Sequence, residues 1–88
     1  MTIRRINTFG REYQLHSLEP GRTIVSLDGV EIVVDASLDR MNQAWYNWTM
    51  KGQFVQDAFK FLNAGQREFL LTGITEERWK QIFSEVEK

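Results

Sequence analysis

Residues 23–48 read TIVSLDGVEIVVDASLDRMNQAWYNW, and the change of period inside them decides the fold. Thr23, Val25 and Leu27 alternate with Ile24 and Ser26. After Asp28-Gly29, Val30, Ile32 and Val34 alternate with Glu31, Val33 and Asp35. Period two belongs to a strand, whose successive side chains point to opposite faces. Asp-Gly between two such runs predicts a two-residue hairpin. Both central residues of a type I′ turn need positive φ, and Asp and Gly tolerate it best. From Leu38 onward the spacing is helical: Leu38, Met41, Trp45 and Trp48 recur on one face, with Ala44 beside them. Ser37 is placed to cap that helix. Asp39, in its first turn, suits the positive end of the helix dipole.

Upstream the chain also reads as β. Glu19-Pro20-Gly21-Arg22 has the composition of a turn, with Pro at its second position and Gly at its third. Residues 12–17 alternate, with Tyr13 and Leu15 on one face. Residues 2–8 are a candidate first strand turning at Phe9-Gly10, although Ile3 and Ile6 do not share a period-two face. A meander of this size needs a cover over its apolar side.

Downstream of Trp48 the helix boundaries are written in the sequence. Gly52 after Lys51 is a stop signal. Phe54, Val55, Ala58, Phe59 and Leu62 make the apolar stripe of a short second helix, and Phe61 falls off it. Asn63 and Gln66 have capping-box spacing for a third helix, whose Phe69 and Leu70 point inward with Leu71 flanking. Gly73 closes that helix. Thr75 caps a fourth, with Glu76 and Glu77 in its first turn, and Ile74 and Trp79 have the spacing of a hydrophobic staple. Trp79, Ile82, Phe83 and Val86 form its stripe. Gly65 alone among the glycines has no evident backbone role. The expected fold is therefore α+β, in one domain spanning 1–88. An N-terminal antiparallel meander of three to four strands (1–35) is covered on one face by three to four helices (36–88).

Composition narrows the function classes. The chain has 88 residues, 42% apolar and 12% aromatic, enough for one core and too few for two. Eleven Lys and Arg stand against twelve Asp and Glu, a formal net charge of −1. Neither half shows the basic excess of a surface that tracks phosphates. No Cys is present, which removes disulfides and thiol chemistry. No apolar run approaches the roughly 20 residues that span a bilayer. MTIRRINTFG carries two arginines with no apolar segment behind them. A soluble cytoplasmic protein with no membrane association is expected.

Arg67-Glu68-Phe69-Leu70, then Gly73, Trp79 and Phe83, spell REFL-x-x-G-x5-W-x3-F. With Gln56-Asp57-Ala58-Phe59 ahead of it, the run from Trp48 to Phe83 resembles a group of small tailed-phage and prophage proteins that carry no established activity. The resemblance implies a viral or prophage origin, in which case the location is the host cytoplasm. Many members have Cys-x-x-Cys where this chain has Thr75-Glu76-Glu77-Arg78, so no metal or redox role carries over to these positions.

Candidate chemistry is sparse. The only histidine, His16, falls on the solvent side of its predicted strand with Glu12 and Gln14, which is a surface position rather than that of a catalytic base. Asp35, Asp39 and Asp57 are carboxylates that could hold a metal or form an acid and base pair, but Asp35 has the place of a strand end, Asp39 complements a helix dipole, and no third ligand has a motif-like spacing. Arg67 could pair with Asp57 at the helix junction, or it could tie two helices together. No cofactor or metal is called for, and an enzyme is not expected.

Residues 63–87 have the outline of a helix-turn-helix. A nucleic-acid-binding regulator is thus the alternative reading, disfavoured by Glu76 and Glu77 at the end that would meet phosphates. The favoured reading is a non-enzymatic accessory protein that binds another protein, a host protein or a second copy of itself. An inhibitor of a host enzyme or defence complex is the concrete form suggested by the resemblance. Its expected interface is Tyr46 and Met50, which share a helix face away from the tryptophans, together with Phe54 and Phe61.

Overall fold

Four strands form one antiparallel sheet in chain order: β1 (Thr2–Ile6), β2 (Glu12–Glu19), β3 (Arg22–Leu27) and β4 (Val30–Val34). Four helices follow: α1 (Leu38–Thr49), α2 (Val55–Ala58), α3 (Ala64–Thr72) and α4 (Glu76–Val86). The structure is a computed structural model and describes residues 1–86. The architecture is the α+β arrangement expected from the sequence.

Ile3 pairs with Leu15, Leu15 with Val25, and Val25 with Ile32, so one row of aliphatic side chains crosses all four strands. Tyr13, Leu15, Val25 and Val34 on this face are completely buried by the helices. The next row on the opposite face, Thr2, His16, Ile24 and Val33, stays open to solvent or only half covered. One packed and one open face is the usual state of an antiparallel sheet. Thr23 is a buried polar residue on the packed face, and its hydroxyl donates to Ala36 O at 2.8 Å. The β3–β4 turn has φ of 51° at Asp28 and 83° at Gly29, the positive pair a type I′ turn requires.

β1 is a regular strand even though Ile3 and Ile6 do not alternate. Its inward face is Ile3 and Arg5. Ile6 is on the outer face and 57% exposed. Arg5 is tolerated inward at the sheet's end because its Nε donates to Asn42 Oδ1 and its Nη1 to Arg4 O, each at 2.7 Å.

Trp45 is the centre of the core. Its ring lies 5.5 Å from Tyr13, 5.3 Å from Trp48 and 6.0 Å from Phe59, at steep interplanar angles. Such tilted and edge-on pairs set the positive rim of one ring against the negative face of the next. Ser37 caps α1, accepting from Arg40 N–H at 3.1 Å. α2 is a single turn of four residues. Phe59 and Leu62 are buried as expected, but Phe54 is not part of the buried stripe. It precedes the helix in extended conformation and is 73% exposed.

The Asn63–Gln66 capping box is present in both directions. Arg67 does not pair with Asp57. Its Nη1 donates to Leu62 O at 2.5 Å and Phe59 O at 3.5 Å, occupying carbonyls that follow the end of α2. Gly65, without an evident role in the sequence, lies close to α4: a Cβ there would come within 3.1 Å of Glu76 Oε2.

The last carbonyls of α3 are satisfied by the β1–β2 hairpin, 56 to 64 residues away in the chain. Tyr13 OH donates to Phe69 O at 2.7 Å. Asn7 Nδ2 donates to Leu70 O at 2.9 Å and Leu71 O at 3.3 Å, and Arg11 Nη1 to Thr72 O at 2.9 Å. Asn7 Oδ1 in turn accepts from the N–H groups of Phe9 and Arg11, so all four hydrogen bonds of a buried amide are made. Gly73 ends α3 at φ 75°, and any side chain there would overlap Leu27 Cδ2. Burial raises the pKa of Tyr13 above its ordinary value, with the nearby charge of Arg11 opposing in part.

α4 packs chiefly on α3. Thr75 caps it, accepting from Arg78 N–H at 3.2 Å. Its expected stripe is not a buried one: Trp79 and Ile82 are half-buried, and Phe83 is 59% exposed with its ring stacked on Trp79 at 5.8 Å. The side chain of Val86, the fourth residue of that stripe, lies outside the described residues.

Candidate protein interface

α1 divides cleanly into two faces. Met41, Ala44, Trp45 and Trp48 are buried against the sheet and α2. Tyr46 and Met50, four residues apart on the outer side, are 50% and 72% exposed. The Lys51 ammonium sits 5.9 Å from the centroid of the Tyr46 ring, within cation–π range.

Tyr46 and Met50 form one wall of a groove of about 660 Å³. The same wall includes Asn42, Trp45 and Thr49 of α1, and the opposite wall is Arg4, Arg5 and Ile6 of β1. The groove therefore runs between the first helix and the outer edge of the sheet. It has two arginines and no carboxylate among its lining residues. The ion pairs among the described residues lie elsewhere: Arg11 with Asp28, and Arg22 with Glu19 and Asp35.

The four interface candidates do not form one patch. Tyr46 and Met50 share the groove, whereas Phe54 is exposed at the start of α2 and does not line it. Phe61 is half-buried against Phe59, with the Arg40 guanidinium 4.1 Å above its ring. Arg4, Arg5 and Ile6 were not singled out by the sequence. Their two-residue charge pair and the irregular alternation of β1 gave no sign that they would face α1, because the contact spans some 40 residues of chain.

The other candidates are dispersed. His16 lies on the open face, its Nδ1 2.7 Å from Thr2 Oγ1. Asp35 pairs with Arg22 at 3.3 Å, while Asp39 and Asp57 occupy the first turns of α1 and α2. Among the described residues no three His, Cys, Asp or Glu side chains converge. At the start of α4, Glu76, Glu77, Arg78 and Lys80 are all exposed, so charges of both signs mix there. No helix of the described residues is long and apolar enough to cross a membrane. No family model matches the chain, and no match is found among the curated proteins or the solved structures.

Proposed function

We propose that this chain is a small non-enzymatic protein that acts by binding another protein through the outer side of α1, with Tyr46 and Met50 at the centre and Phe54 at the margin. The observation that carries this reading is the contrast within one helix. Trp45 is 1% exposed, while its neighbour Tyr46 and Met50 stand in solvent beside an open groove. Large amphipathic and flexible apolar side chains at the mouth of a concavity are the usual anchors of a protein interface. The resemblance of the Trp48–Phe83 run to tailed-phage and prophage proteins supports the narrower form, an accessory protein of phage origin working in the host cytoplasm. An inhibitor of a host enzyme or defence complex is one such role.

The test is capture of partners from a bacterial lysate by the wild-type chain and by a Tyr46→Ala/Met50→Ala variant. Partners retained by the first and lost by the second support the surface. An unchanged set of partners removes it. Size-exclusion chromatography with light scattering decides in the same preparation whether the partner is a second copy.

A further inference from the structure

Resting on that reading, we propose that the groove between β1 and α1 takes an acidic segment of a protein partner: a carboxylate at the Arg4/Arg5 wall, flanked by aliphatic or aromatic side chains on Tyr46 and Met50. The argument begins with the backbone of β1. Asn7 N–H donates to Arg11 O, and Ser17 N–H to Met1 O. Bonded and non-bonded pairs alternate along an antiparallel ladder. With the register Ile3↔Leu15 and Arg5↔Tyr13, Ile3 and Arg5 turn their peptide groups toward β2. Thr2, Arg4 and Ile6 therefore turn theirs outward, toward the groove.

Two of those outward carbonyls are already engaged. Arg4 O accepts from Arg5 Nη1 at 2.7 Å, and Ile6 O from Trp45 Nε1 at 2.9 Å. Along the groove the edge is left with free N–H donors at Arg4 and Ile6, while each outward carbonyl there already accepts one hydrogen bond. An added β-strand requires donors and acceptors in alternation, so this stretch is a poor site for strand addition. A carboxylate only accepts, and it suits such an edge. Arg4 and Arg5 both line the groove, and among the described residues neither has a carboxylate partner. Charge-assisted bonds from arginine to carboxylate are shorter and about twice as strong as neutral ones.

The charge is local, since the chain as a whole carries −1. That balance, with only two arginines on one wall, does not provide the continuous positive track that a nucleic acid needs. The apolar wall of Tyr46 and Met50 requires in addition that the acidic segment be apolar on its other side.

A displayed library of random short peptides, selected on the wild-type chain and counter-selected on Tyr46→Ala/Met50→Ala, tests this directly. Recovered peptides should be enriched in Asp or Glu next to Leu, Ile, Phe or Trp. In fluorescence anisotropy, Arg4→Glu should weaken such a peptide by about tenfold and strengthen its Lys-substituted counterpart. Arg4 is exposed, so the fold is not at stake. Peptides that depend on Tyr46 and Met50 but lack acids, or that ignore Arg4→Glu, overturn the acidic partner and leave the surface standing. Selected peptides that bind the Tyr46→Ala/Met50→Ala variant as tightly as the wild-type chain place the surface elsewhere and overturn the function proposed above. An absence of any recovered peptide overturns the inference, as does tighter binding to an oligothymidylate or to phosphatidylserine vesicles than to the recovered peptides.

Discussion

Asn7→Asp separates two ways in which the β1–β2 turn could hold α3: by donating hydrogen bonds, or by filling space. The two side chains have nearly the same shape. The acceptor role survives the change, because one carboxylate oxygen still faces the N–H groups of Phe9 and Arg11, both 2.9 Å away. The donor role does not. Leu70 O at 2.9 Å and Leu71 O at 3.3 Å would face an oxygen in place of an amide N–H.

Each lost bond is worth about 0.5–1.5 kcal/mol, with the buried Leu70 carbonyl at the upper end because it is left unsatisfied. A negative charge at a helix C-terminus adds about 0.3–1 kcal/mol, and more where it is as buried as Asn7, which is 4% exposed. The sum is about 3 kcal/mol at neutral pH, or roughly 12–24 °C in Tm for a domain of this size.

The deficit should depend on pH. Burial and the facing Leu70 and Leu71 carbonyls push the introduced carboxyl above the ordinary Asp value of about 3.9 in the folded state, against the opposing pull of the Phe9 and Arg11 N–H groups. A raised folded pKa gives stability that is fully present below the unfolded value and lost as pH rises through the folded one. Acidification therefore restores Asn7→Asp relative to wild type, since the protonated acid can again donate to Leu70 O. Asn7→Ala has no group to titrate and should show a deficit that stays level. Urea unfolding followed by tryptophan fluorescence, from neutral pH down to about pH 4, reads both quantities. An Asn7→Asp variant within about 0.5 kcal/mol of wild type at neutral pH, or a deficit that does not shrink in acid, would refute the donor argument.

Gly73→Ala should cost about 2–4 kcal/mol, combining left-handed backbone strain with displacement of the Leu27 side chain, and a loss under about 1 kcal/mol in the same unfolding assay would contradict the close approach. The raised Tyr13 pKa makes the fold progressively less stable as pH climbs past the ordinary value of 10.0 and through the folded one. Tyr13→Phe should lose about 1 kcal/mol near neutrality and remove that alkaline steepening; equal alkaline slopes in the two proteins would sink the assignment. Gly65→Ala should stabilise by up to about 1 kcal/mol, because the added Cβ meets the movable end of the Glu76 side chain and a helix gains from losing its glycine; a clear drop in Tm would show that α4 cannot give way.

Local physics made most of the elements legible. Asp28-Gly29 specifies its own turn, because positive φ is a property of two adjacent residues. Asn63 with Gln66, Ser37 and Thr75 specify helix starts through bonds that span three residues. The faces of α1 follow from spacing alone, since Met41, Trp45 and Trp48 cannot turn inward without turning Tyr46 and Met50 out.

What the tertiary structure decided lies at long separation along the chain. Nothing near Asn7 announces that its amide will cap a helix at Leu70, and nothing in Arg67 says that it prefers the Leu62 carbonyl to the Asp57 carboxylate. The exposure of Phe83 depends on how little of α4 meets the rest of the fold, which periodicity does not encode. The groove is of the same kind. The outward strip of α1 is written in its helical period, but the basic wall opposite it exists only because the packing of α1 on the sheet brings Arg4 and Arg5 alongside Asn42 and Tyr46. Spacing along the chain assigns a residue to a face, and only packing decides what that face meets.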